Sequence, residues 1–207
     1  MSDSPRSGIL GLVLVAAAVT ALVTAVRLYG ELQGWDPKYF GPEAGGGMSV
    51  VGIAWLPIVF GFMFGRRLAK NGQRPKNMLA AALVPVVGFG AIVGVMALYK
   101  DDKPTMLMLL TYVPAGAALA VMFVWMRAGL TNLLYGILAR VPVVLVQYMA
   151  LLNAWGTHYE KVPPGETMTS AQIGNALAMF QLTAWVPYTV IVGGLFAAIG
   201  AATVRKS

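Results

Sequence analysis

Six apolar stretches follow one another along the chain, at about 8–29, 48–68, 77–99, 105–126, 130–153 and 173–204, with short polar segments between them. Each approaches the ~20 residues that an α-helix needs to cross the hydrocarbon core of a bilayer. The pattern predicts an all-α polytopic membrane protein: six transmembrane helices in a single transmembrane domain spanning residues 1–207. The last stretch is long enough to tilt or to end in an interfacial turn.

A second regularity lies inside the stretches. The pairs Leu56-Pro57, Val84-Pro85, Val113-Pro114, Val141-Pro142 and Val186-Pro187 put a proline near the middle of each of spans two to six. Each proline removes a backbone donor and crowds the preceding turn, which predicts a kink in each of these helices. Kinks at similar depth would splay the helices around a midplane cavity, as in discontinuous transporter helices. Proline is also common in membrane helices for packing alone. Two of the pairs share a longer motif, Ala54-Trp55-Leu56-Pro57 and Ala184-Trp185-Val186-Pro187. Both tryptophans sit too deep for an interfacial belt and are expected either to line one cavity wall or to pack. Gly61 with Gly65, and Gly90 with Gly94, have the spacing that lets helix backbones approach closely.

Composition supports lipid as the outer solvent. The chain is 58% hydrophobic and 11% charged, against about 25% charged in a soluble domain. The net charge of +7 would suggest nucleic acid if its placement were ignored. Arg66, Arg67, Lys70, Arg74 and Lys76 share one polar segment with no acid, and Arg127, Arg205 and Lys206 fall on the same side. Glu31, Asp36, Glu43, Asp101, Asp102, Glu160 and Glu166 all fall on the other. Basic segments stay cytoplasmic, which predicts an inner, cytoplasmic membrane with both termini inside. The bilayer and its anionic lipids are then the expected partners, with other membrane subunits as further candidates and no nucleic acid. The first span is too long and its leader too weakly basic for a typical cleaved signal, so it is expected to be retained. Tyr29, Trp35, Tyr39, Tyr99, Trp155 and Tyr159 are expected at the outer headgroup level, and Trp125 at the inner one.

The candidate chemistry is sparse. The chain has no cysteine and one histidine, His158, which excludes thiolate metal sites, iron–sulfur clusters and a bis-His haem. His158 with Glu160, or with Glu31, Asp36 or Glu43 across loops, makes a weak metal signal. The expectation is no metal, no cofactor and no catalytic residue, because nucleophile elbows, zinc-protease helices and phosphate loops are all missing.

The most informative residue is Arg140, inside the fifth apolar stretch beside Val141-Pro142. At about ten residues, or about 15 Å, into that span, it belongs near mid-membrane, where an arginine costs about 2.5–3.5 kcal/mol on insertion scales. No internal carboxylate is available to it, and Glu31 is near enough only with strong tilt. Asn132, Gly136, Arg140 and Gln147 share one helical face. Gln181, Trp185, Tyr188 and Thr189 form a semi-polar face on the sixth span. Arg140, Gln147, Asn132, Gln181, Trp185 and Trp55 are therefore the candidate ligand- or lipid-binding residues. Three readings of Arg140 are open: reaching along its helix to a lipid phosphate, pairing within the protein or with a partner, or binding a ligand. The overall expectation is a non-catalytic membrane-complex subunit or lipid-binding scaffold. The alternative is a small carrier or channel with a midplane anionic or polar solute site; an enzyme using outer-loop acids stands third.

Overall fold

The computed structural model describes residues 5–41, 51–161 and 168–205. Among these the chain is all-helical. Helix α1 (Pro5–Leu32) leads to a single turn, α2 (Pro37–Phe40), and then to α3 (Leu56–Lys70), α4 (Met78–Leu98), α5 (Lys103–Val124) and α6 (Met126–Asn153). Helix α7 (Ser170–Phe180) continues through one π-helical turn, Gln181–Trp185, into α8 (Val186–Ala202). Among the described residues five helices are long and apolar enough to cross a membrane: α1, α4, α5, α6 and the continuous α7–α8. The chain is thus a multi-pass membrane protein in its architecture.

Local chemistry sets the helix starts. Asn77 caps α4 by accepting from the Ala80 amide, and Asp102 caps α5 by accepting from Thr105. Thr169 and Gln172 form a reciprocal capping box on α7. Such side chains satisfy amides that the first turn leaves without intrahelical acceptors.

Three expectations change here. The stretch predicted as a second span, 48–68, yields a 15-residue helix that begins only at Leu56, and Met48 falls outside the described residues. Pro57 therefore opens α3, in the first turn where a missing N–H costs nothing. Pro85, Pro114 and Pro142 lie inside their helices, and Pro187 lies in the middle of the continuous α7–α8 rod, directly after its π turn. Thirdly, the polar break expected around Arg127 shrinks to one residue, Trp125, so α6 starts four residues before the predicted boundary of Leu130.

Helix α8 is the hub, packing on α3, α4, α5 and α6. Its closest neighbour is α3. A methyl group on Gly61 or Gly65 would overlap the backbone of Gly193 or Ala197, and one on Gly200 would overlap Phe62. This is small-residue packing of the kind the Gly61/Gly65 spacing suggests. Gly90 and Gly94 differ: nothing lies within 4 Å of a methyl added there. On α4 the close contact is instead Gly88 against Ala117 of α5. Few residues of α4 and α5 are buried, whereas about half of those in the apolar stretches of α6 and α7–α8 are. Trp125 is buried, its Nε1 donating to the Gln73 carbonyl, and Tyr159 is buried too. Neither therefore joins an exposed aromatic belt. Tyr29 and Trp35 remain exposed, edge to face at 5.6 Å.

Candidate functional site

The face of α6 expected from the helical period turns inward as a unit: Asn132, Gly136, Arg140 and Gln147 are all buried. Gly136 sits against Thr189 and Val186 of α8, and the Asn132 amide lies over Gly193. Because α6 begins at Met126, Arg140 is fourteen residues in, with thirteen to follow. That is about 21 Å from the start of the helix, at its midpoint.

The Arg140 side chain is 4% exposed. Its guanidinium carbon lies 4.8 Å from the centre of the Trp185 ring, within the range of a cation–π attraction. Nη1 donates to Gln181 Oε1 over a long 3.4 Å, and Nε has no hydrogen-bond partner. Among the described residues no carboxylate comes within 4.0 Å of it; the three ion pairs lie elsewhere. The side chain is turned onto the π turn between α7 and α8 and is covered there.

Pro187 explains the shape of the opposing wall. In a regular helix its ring would collide with the carbonyl four residues back and leave that carbonyl without a donor. The chain widens instead: the Val186 amide reaches back to Gln181 through a π turn. The two side chains that meet Arg140, Gln181 and Trp185, are the first and last residues of that turn. Phe180 and Tyr188 pack edge to face on Trp185, at 6.4 and 5.5 Å. The Tyr188 hydroxyl donates to the Ala54 carbonyl at 3.0 Å. This bond ties the residue that follows the second Ala-Trp-X-Pro motif to the first residue of the other. Trp55 is 43% exposed beside the start of α3, while Trp185 faces Arg140.

Two further groups on α6 are under-satisfied. Gln147 is 5% exposed, and its Oε1 has no hydrogen-bond partner among the described residues. Asn132 donates to the Ala128 carbonyl at 2.9 Å, but its Oδ1 has no partner. Buried polar groups normally find partners, so Arg140 Nε, Gln147 Oε1 and Asn132 Oδ1, spread along one stripe of α6, stand out.

A second polar cluster is not apparent from the sequence. Helix α1 buries Thr20, Thr24 and Arg27 against α6 and the segment after it. Arg27 Nε donates to Glu31 at 2.7 Å, and its Nη2 donates to the Gly41 carbonyl. Glu31 also accepts from the His158 amide at 3.0 Å and meets the His158 ring nitrogen at 2.5 Å. The Tyr159 hydroxyl donates to the Thr24 carbonyl, and Thr20 bonds the Tyr135 hydroxyl. Burial, helped by the Glu31 carboxylate nearby, pushes the Tyr159 phenol above its ordinary value. Glu31 thus belongs to Arg27 and His158 and not to Arg140. The one signal for this cluster is the i, i+4 spacing of Arg27 and Glu31. Of the loop acids weighed as metal ligands, Glu31 reaches His158, Glu160 turns back to accept from the Thr157 amide, and Glu43 lies outside the described residues.

No family model matches the chain, and it matches no curated protein and no solved structure.

Proposed function

We propose that the protein is a small carrier that holds the anionic part of a solute at Arg140, between α6 and the α7–α8 rod. In this reading α3 completes the bundle as a sixth crossing, the basic segments lie in the cytoplasm with both termini, and the membrane is the inner one. The observation that supports it is a single one. A guanidinium buried at the midpoint of a membrane helix has no carboxylate within 4.0 Å among the described residues and a free Nε. A buried cation in low dielectric is costly without an anion, and a solute anion supplies it. The π turn beside it is the element that would open the site, since π-helical turns often sit at functional positions. The test is thermal stabilisation of the purified protein by a panel of organic and inorganic anions, beside Arg140→Gln. Stabilisation that disappears in the variant supports the carrier. Equal stabilisation in both proteins removes it.

A second reading, a non-catalytic subunit or lipid-binding scaffold, draws on α4 and α5. Two apolar grooves of about 500 and 400 Å³ run between them, and Gly90 and Gly94 offer an unoccupied small-residue approach on α4. Co-purification of another membrane polypeptide, lost on Gly94→Leu, would favour this reading over the carrier.

A further inference from the structure

Resting on the carrier reading, we infer that the ligand is two-headed: an elongated organic acid whose far end carries a hydrogen-bonding group. Its carboxylate is held by Arg140 and its far end by the amide of Gln147. Both side chains are more than nine-tenths buried. Seven residues apart on one helix, they differ in direction by only about 20° and in height by about 10 Å. They therefore project from the same stripe of α6, with Val143 buried between them.

Their needs are complementary to the two ends of one molecule. Arg140 uses Nη1 towards Gln181, and its Nε edge is the side that a planar carboxylate engages with two parallel bonds. Gln147 presents an amide whose buried Oε1, an acceptor, has no hydrogen-bond partner among the described residues. An anion alone would satisfy Arg140 and leave the glutamine stranded. A ligand with a hydroxyl, amide or ammonium group about 10 Å from its carboxylate satisfies both. Between the two heads α6 carries Val143, buried in an apolar cluster with Ala150 and Tyr159, and such a surface suits a methylene chain better than a polar one.

The probes are 8-hydroxyoctanoate and octanoate, which share one carboxylate and one chain length and differ in the terminal hydroxyl. Binding is measured by native mass spectrometry of the full chain released from lipid nanodiscs. The expected result is at least a tenfold preference for 8-hydroxyoctanoate in the unmodified protein. In Gln147→Leu that preference collapses to less than twofold, with octanoate binding retained. In Arg140→Gln both acids are lost. If octanoate binds through Arg140 but the hydroxyl brings no preference, the two-headed ligand is overturned while the anion site stands. If neither acid shows Arg140-dependent binding, the anion site falls and this inference with it. The preference between the two acids is read on the unmodified protein and needs no variant to fold.

Discussion

Arg27 and Arg140 are equally buried, at 3% and 4% exposure, on helices α1 and α6 that pack side by side. Their surroundings are opposite. Arg27 has a carboxylate one turn away, a backbone carbonyl on a second element, and a histidine that completes the carboxylate's shell. Arg140 has one long bond to a neutral amide and the face of an indole. Equal burial therefore carries different meanings. The first arginine is one component of a closed structural network that fastens the segment after α6 over the end of α1. The second is a cation with no carboxylate within 4.0 Å among the described residues, and that asymmetry underlies the proposed function.

The comparison breaks first, and most severely, at Glu31. Glu31→Ala removes the carboxylate from both Arg27 and His158 and strands a buried charge. Breaking a buried pair on one side typically costs about 3–5 kcal/mol. The variant is expected to unfold at markedly lower temperature than the parent in the same detergent, with the segment around His158 opening to proteolysis. If its unfolding temperature matched the parent, the Arg27 network would not be holding the fold.

The same operation at Arg140 should have the opposite sign. Arg140→Met exchanges a poorly compensated guanidinium for an apolar chain of similar reach. Replacing buried charged groups by apolar ones of similar volume is often neutral, or stabilising by about 1–4 kcal/mol. The expected outcome is an unliganded protein at least as heat-resistant as the parent, with ligand-dependent stabilisation gone. A strongly destabilised Arg140→Met would mean that the arginine is a structural residue like Arg27.

Much of this contrast is legible in the sequence on one side only. The face of α6 follows from the 3.6-residue period, so spacing alone groups Asn132, Gly136, Arg140 and Gln147, and it likewise pairs Gln181 with Trp185 opposite them. The depth of Arg140 is less accessible: the helix starts earlier than the Arg127 charge suggests, because Trp125 folds back onto the α3–α4 connection and makes the break one residue long. The roles of Pro57 and Pro187 are hidden too. A proline that opens a helix and one that kinks it leave the same letter in an apolar run, and only the irregular backbone before Leu56 and the π turn before Val186 separate them. Arg27 is inconspicuous because it stands at the edge of its apolar stretch, where a charge resembles a span boundary.

A finer test asks what holds Arg140 in place before a ligand arrives. Its attraction to Trp185 is the main candidate, worth about 2 kcal/mol when both groups are desolvated. In a double-mutant cycle, Trp185→Leu and Arg140→Met should couple by about that amount in unfolding free energy. A coupling near zero would mean that the ring merely fills space beside the guanidinium.

The smallest effect is expected at Gln181, and its smallness is informative. At 3.4 Å its bond to Arg140 is near the geometric limit, and hydrogen bonds weaken steeply with poor geometry. Gln181→Leu should therefore change unliganded stability by less than about 1 kcal/mol. Under the carrier reading the released Nη1 remains available to a ligand, so anion binding should persist with at most a few-fold change. A large loss of stability in Gln181→Leu would show that this amide, and not an incoming anion, is the partner that Arg140 depends on. The two buried arginines would then differ in the strength of their networks and not in kind.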